Sequence, residues 1–201
     1  LLESSNVLSR IRKEAASKLK EVIREGLLDL NFLDVKFEIC FQDLDNYSAL
    51  GLDEVEFMIS MNPGEPVRPL GEVASGGELS RIMLAIKTVM AEKDQIETLI
   101  FDEIDVGISG RTAQKVSEKM ALIGKNHQVI CITHLAQIAA MADAHFLIEK
   151  GVVNGKTQTS IGILNREEEV KEPARILGGA EITDTVLQSA SEMKELAMRT
   201  K

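Results

Sequence analysis

Tryptophan is absent from this 201-residue sequence, and tyrosine occurs once beside six phenylalanines. A surface that grips single strands by stacking bases on aromatic rings is therefore not expected. Cysteine occurs only as Cys40 and Cys131, too few for a disulfide framework, which sets a reducing, cytoplasmic compartment as the expectation. Positive charge is not in excess: 23 Lys and Arg stand against 32 Asp and Glu, a net charge of −9. That balance argues against a general polyanion binder, whose affinity comes from surplus cations, while leaving room for a local basic patch. No apolar run approaches the roughly 18 residues of a membrane span, and the first residues lack the apolar core of a signal peptide, so no membrane partner is expected. With 44% hydrophobic and 27% charged residues, the composition is that of a globular protein rather than a disordered one. The length suits one domain with a sizeable core and is short for two.

The first thirty residues stand apart. Leu8, Ile11, Ala15, Leu19 and Val22 recur at helical steps close to a coiled-coil seam. Six basic and five acidic residues make this segment +1, so the remainder carries −10. An amphipathic helix packed on its own domain and the end of a longer coiled coil both fit three heptads. After Gly26 the period falls to two: Val35, Phe37, Ile39 and Phe41, then Val55, Phe57, Ile59 and Met61, predict two antiparallel strands joined near residues 49–51. Pro63, Gly64, Pro66 and Pro69 enforce a loop.

Beyond it, a helix is predicted from Gly77 to about Lys93, and Thr98–Phe101 forms a short apolar run ending in Asp102 and Glu103. A glycine loop leads to a helix over residues 111–123 closed by Gly124, then to a second apolar run, Val129–Ile132, and a helix near 135–142. Residues 144–149 and 157–164 flank Asn154-Gly155 as a hairpin, and an acidic tail forms two helices parted by Gly178-Gly179. Short apolar strands alternating with helices predict an α/β fold, with a mostly parallel sheet covered on both faces and an antiparallel strand pair near the N-terminus.

A buried parallel strand ending in two carboxylates places them at the sheet's C-terminal edge, where α/β proteins bind ligands. In nucleotide hydrolases an Asp there holds magnesium, and a following Glu polarises the attacking water. Ser75-Gly76-Gly77-Glu78 opens a helix, where close backbone approach and the helix dipole suit an anion, although Ser75 reads equally as an N-cap. His134 follows Thr133 at the end of the second apolar run. His127, Cys131 and His134 suggest a metal site but lack a fourth ligand, and Ser109 reads as an N-cap rather than a nucleophile. Met83, Met90, Met120 and Met141 read as core filler.

Order and spacing sharpen these features. Ser-Gly-Gly-Glu, strand-Asp-Glu, Asp105 in a glycine loop and strand-Thr-His follow within sixty residues. This succession resembles the C-terminal half of an ABC-type ATPase head, with its signature motif, Walker B strand, D-loop and switch histidine. The strings at residues 62–66, 74–81, 101–110, 132–137 and 174–179 resemble the RecN family of bacterial DNA-repair proteins, of the SMC type, over about residues 32–196. The signature has Ala74-Ser75 and Glu78 where transporter-type ATPases usually carry Leu-Ser and Gln, which favours the SMC and repair branch.

The resemblance implies two engaged heads that trap ATP between them. Asp102 would organise Mg²⁺, Glu103 would act as general base, and His134 would meet the γ-phosphate or the water. Ser75, Gly76, Gly77 and Glu78 would bind nucleotide held by the opposing head of a homodimer, and Asp105 would couple the two sites. A phosphate-binding loop needs Gly-x-x-x-x-Gly-Lys-Ser/Thr; Gly71 and Gly76 have the glycine spacing, but Gly77-Glu78 follows. In the family that loop belongs to the N-terminal half. Residues 1–30 would then end a coiled-coil arm, and residues 31–201 would be the C-terminal lobe of a head acting on DNA at the nucleoid in double-strand-break repair. The alternatives are a non-catalytic, DNA-bridging head module, or the head lobe of another SMC-type protein.

Overall fold

In the computed structural model, residues 1–72, 75–91, 95–153, 155–179 and 181–201 are described. Ala74 of the signature string, Lys93 at the expected helix end and Asn154 of the hairpin lie outside them. The chain divides into two compact units, Leu1–Ile96 and Glu97–Lys201, where length alone suggested one. The mixed α/β class expected from the sequence holds.

The first unit begins with α1 (Leu2–Asp29). This helix runs through Gly26 and stops at Asn31, whose φ of 70° takes the chain into the left-handed region. The Asn31 amide donates to the Leu28 carbonyl and the Phe32 amide to that of Leu27, a Schellman closure that satisfies two terminal carbonyls. The helix buries Ser5, Ile23 and Leu27. Of the expected seam, Leu8 and Leu19 are half-buried, whereas Ile11, Ala15 and Val22 face solvent. The packing stripe is therefore rotated away from the seam, because the hairpin and the next helix meet its flank.

That hairpin is β1 (Lys36–Ser48) and β2 (Gly51–Ser60), antiparallel, with β3 (Arg68–Pro69) added beyond β2. Phe37 pairs with Ile59 in the ladder and both are buried, as the period-two pattern requires. Val55, expected on the same inward face, is exposed. α2 (Gly76–Met90) packs against α1. It buries Ile82, Leu84, Ala85 and Ile86, and Arg81 lies over the Phe32 ring at 5.4 Å from its centroid.

In the second unit β4 (Thr98–Phe101) and β5 (Gln128–Cys131) form a parallel pair. They are joined through α3 (Gly110–Gly124), whose Ala113, Val116, Met120 and Ile123 face the core. α4 (Ala136–Ala140) follows, then the antiparallel hairpin β6 (Phe146–Val153) and β7 (Lys156–Ile163). α5 (Glu168–Gly178) and α6 (Asp184–Thr200) close the unit. A Cβ at Gly178 would stand 3.2 Å from Val186 Cγ1, so the α5–α6 approach leaves little room for a larger residue there. Lys194 of α6 pairs with Glu169 at 3.3 Å and donates to the Ala142 carbonyl at 3.1 Å.

The expected mostly parallel sheet is present only as β4–β5, since the other two sheets among the described residues are antiparallel. Nor is that pair covered on both faces. Phe101 is buried, but Ile100 is 68% exposed, and Ile130 and Ile132 are exposed as well. The described helices supply a cover for one face only. The β6–β7 hairpin likewise leaves the paired Phe146 and Ile163, and Ile148 and Ile161, in solvent.

α1 is fastened to the β1–β2 hairpin by one buried carboxylate. Asp53 accepts from the Ser9 hydroxyl at 2.6 Å and from Arg12 Nη1 at 3.0 Å. The Ser9 hydroxyl, together with the Arg12 guanidinium, holds the Asp53 carboxyl below its ordinary value of 3.8, against the opposing effect of burial. A depressed carboxyl stabilises the fold above its unfolded-state pKa, and that contribution is lost as pH falls through the folded-state value. Asp53→Asn is accordingly expected to melt at a lower temperature than wild type at neutral pH, with the gap closing on acidification below about pH 4. Thermal melts across pH, followed by circular dichroism, check this.

Candidate functional site

The β4–β5 pair sets two chain ends side by side. Phe101 and Cys131 are register partners, and the Ile132 amide donates to the Phe101 carbonyl at 3.0 Å. Asp102-Glu103 and Thr133-His134 therefore leave the same C-terminal edge on adjacent strands. Period-two alternation puts Asp102 on the open face with Ile100, Ile130 and Ile132.

Past Phe101 the chain turns sharply. Asp102 and Glu103 are exposed, Ile104 and Asp105 are buried, and Val106 and Gly107 return to the surface. The Asp102 carboxylate accepts from the Glu103 amide at 2.9 Å. Glu103 has φ of 57°, a left-handed conformation that costs a residue with a side chain energy and that recurs at functional turns. The Val106 amide donates to the Glu103 carbonyl at 3.1 Å, and Gly107 carries φ of 76°. Ser109 caps α3 as expected from its place in the sequence, through its backbone carbonyl rather than its side chain.

Asp105 is 3% exposed, yet its carboxylate is held entirely by polar groups from the β5 side. One oxygen, Oδ2, accepts from Thr133 Oγ1 at 2.6 Å and from the His134 amide at 2.8 Å, and His134 Nδ1 stands 3.1 Å from the same oxygen. The Thr133 hydroxyl in turn accepts from the Leu135 amide at 3.0 Å, at the start of α4. The His134 side chain is 72% exposed. Asp105 and His134, predicted separately, are thus brought into contact, and Thr133 joins them as a residue that motif reasoning passed over. Its signal in the sequence was its place between an apolar strand and a histidine.

Cys131, behind this edge, has its thiol pushed up to about 12, chiefly by burial and further by Asp105 and Asp102. It stays protonated, which suits neither a nucleophile nor a metal ligand. Among the described residues no three His, Cys, Asp or Glu side chains cluster as a metal site, and no helix is long and apolar enough to cross a membrane.

The remaining candidates lie in the first unit. Ser75 is the N-cap of α2, its hydroxyl accepting from the Glu78 amide at 3.5 Å, and its carbonyl accepts from the Leu79 amide at 3.0 Å. Gly76 is exposed, Gly77 is buried, and Ser75 and Glu78 are half-buried. Both expectations for Ser75, the cap and the opening of an anion-accepting helix end, rest on this same geometry.

The turn at Glu103 makes a prediction about stability. Glu103→Gly is expected to be more stable than Glu103→Ala by about 1 kcal/mol, because only glycine adopts this backbone without a Cβ penalty. Urea unfolding of the two variants measures the difference.

The chain is 45% identical over 197 residues to the DNA repair protein RecN of Halalkalibacterium halodurans, spanning 96% of this chain and 35% of that protein. It is 40% identical over 215 residues to RecN of Bacillus subtilis, spanning 100% and 37%, and 40% identical over 191 residues to RecN of Vibrio cholerae, spanning 94% and 34%. The chain therefore covers about a third of the length of these curated relatives. No family model matches it. Among solved structures, an Smc head domain with coiled coil and joint from Pyrococcus yayanosii aligns at a TM-score of 0.55 and 21% identity, covering 85% of this chain and 30% of that one. An Smc head with an extended coiled coil from Pyrococcus furiosus aligns at 0.52 and 21%, covering 86% and 40%. The fold is that of an SMC-type head, and at 40–45% identity over nearly its whole length the chain belongs to the RecN family.

Proposed function

We propose that this chain is the C-terminal lobe of a RecN-type ATPase head and that the full-length protein uses it for ATP-driven head engagement in DNA repair. The observation that carries the proposal is the shared edge of β4 and β5. There Asp102 and Glu103 leave one strand, and Thr133 and His134 leave its parallel neighbour.

On this edge each residue has a task set by its chemistry. Asp102 is the oxygen ligand for Mg²⁺, an ion that takes one or two carboxylates and fills its other positions with water and phosphate oxygens. Mg²⁺ held there would supply neutralisation of the charge on the transferring phosphate. Glu103, exposed on its strained turn, orients and deprotonates the attacking water. His134 meets the γ-phosphate or that water. In the first unit, the backbone amides of Ser75, Gly76 and Gly77, with Glu78 behind them, donate to the γ-phosphate of ATP held by a second head in a homodimer. The D-loop role between heads falls to Asp105 and its loop through Gly110, whose Val106 and Gly107 are exposed.

The remaining two-thirds of the protein supplies what this chain leaves open. Its phosphate-binding loop completes the nucleotide site, and its strands cover the apolar face of Ile100, Ile130 and Ile132. α1 is the end of the coiled-coil arm, with Ile11, Ala15 and Val22 turned toward the arm's other helix. DNA is a partner of that complete protein.

The chain alone is expected to hydrolyse no ATP, and addition of the N-terminal part of a family member in trans is expected to restore Mg²⁺-dependent turnover. Glu103→Gln should then lower that turnover by about 100-fold or more. A phosphate-release assay decides: robust hydrolysis by the chain alone, or none after complementation, contradicts the proposal.

A further inference from the structure

Two hydrogen bonds to Asp105 Oδ2, with His134 Nδ1 close to the same oxygen, give this residue a task inside its own lobe. We propose that Asp105 is the positioning residue of His134: it fixes the imidazole as the Nδ1–H tautomer and directs Nε2 outward, with Thr133 as the third member of the array. The inference rests on the reading of His134 as the nucleotide-facing residue.

The charge beside the ring favours one tautomer. With Nδ1 3.1 Å from a carboxylate oxygen, a lone pair on Nδ1 would face negative charge, so the proton is favoured on that nitrogen. The neutral ring then presents a lone pair at Nε2, and the protonated ring presents a second donor there. The ring is mostly exposed while its partner carboxylate is buried. Its orientation therefore comes from Asp105 rather than from packing around it. The backbone is fixed by the same oxygen, through the His134 amide at 2.8 Å. Thr133 serves a different end. Its hydroxyl donates to Asp105 at 2.6 Å and accepts from the Leu135 amide at 3.0 Å, so it anchors the turn into α4 without touching the imidazole.

This arrangement also bears on the role the resemblance suggests for Asp105. A carboxylate 3% exposed and engaged through Oδ2 with Thr133 and His134 sets the histidine within its own unit, beside any part its loop plays between heads.

The test reads the imidazole nitrogens directly. The 201-residue chain, labelled with ¹⁵N-histidine, is examined by long-range ¹H–¹⁵N correlation at about pH 9, well above the ordinary imidazole value of about 6.5. Wild type is expected to show His134 as the Nδ1–H tautomer, against the Nε2–H preference of a free imidazole in water. Asp105→Ala should revert to Nε2–H, Asp105→Asn, which keeps an oxygen acceptor, should retain Nδ1–H in part, and Thr133→Val should keep it. A merely structural Asp105 would leave the tautomer unchanged in all of them. An Nε2–H tautomer in wild type overturns the proposal, as does an unchanged tautomer in Asp105→Ala. Should Asp105→Ala fail to fold, the wild-type and Thr133→Val spectra decide alone. The two readings fail separately: unimpaired ATP turnover by His134→Ala in the complemented protein overturns the nucleotide-facing role, while the tautomer decides the role of Asp105.

Discussion

The Asp105 carboxylate is the interaction on which the geometry of the β4–β5 edge depends. A buried carboxylate is costly unless donors surround it, and here the donors come from Thr133 and His134, just past the end of β5. The bond network therefore ties the loop leaving one strand to the turn leaving its neighbour. Ile104, fully buried beside Asp105, pins the same loop by packing. With both residues held inward, Asp102 and Glu103 before them are forced out to solvent, and Glu103 is driven into the left-handed region. On the other side, Thr133 and Leu135 start α4 from a fixed point. One carboxylate thus sets the directions of two exposed acidic residues and one exposed histidine.

The second constraint is what the described elements do not cover. A pair of short strands is not stable by itself in water, and β4–β5 is sustained by the core of Phe101, Ile104, Val116 and Ile123 on one side. Its other side shows Ile100, Ile130 and Ile132 to solvent on the face that carries Asp102. An apolar face contiguous with a proposed catalytic edge is what a lobe completed by further chain would show. That matches the share of the relatives' length, about a third, that the chain spans. The exposed flank of α1 and the open face of β6–β7 fit the same picture of a part made to be covered.

Much of this was legible in the sequence, and for physical reasons. The alternation through Phe37 and Ile59 marked a half-buried hairpin, because a period of two has only one meaning on a pleated strand. The runs ending at Phe101 and Cys131 placed Asp102, Glu103 and His134 at a strand edge, since short apolar runs followed by polar residues end where the sheet does. Other features were not legible. A run such as Val129–Ile132 is apolar whether both faces are covered by its own chain or one waits for another segment, so the open face at Ile130 could not be read. The α1 stripe was misplaced because Leu8 and Leu19 border both the packed and the exposed flank, and only the position of the hairpin decides between them. Asp105 stood in a glycine loop, and nothing in its own vicinity announced that Thr133 and His134, 28 and 29 residues on, would hold its carboxylate. Long-range polar contacts leave no periodic trace.

The central claim is that the β4–β5 edge receives the metal-bound nucleotide once the rest of the protein is present. Paramagnetic relaxation tests it most directly, with Mn²⁺ in place of Mg²⁺, ATP present, and the isotope-labelled chain complemented by the N-terminal part of a family member. Broadening centred on the amides of Asp102, Glu103 and His134, and abolished by Asp102→Ala, is the predicted result. Broadening elsewhere on the chain, or none at this edge while ATP is bound, would contradict the claim.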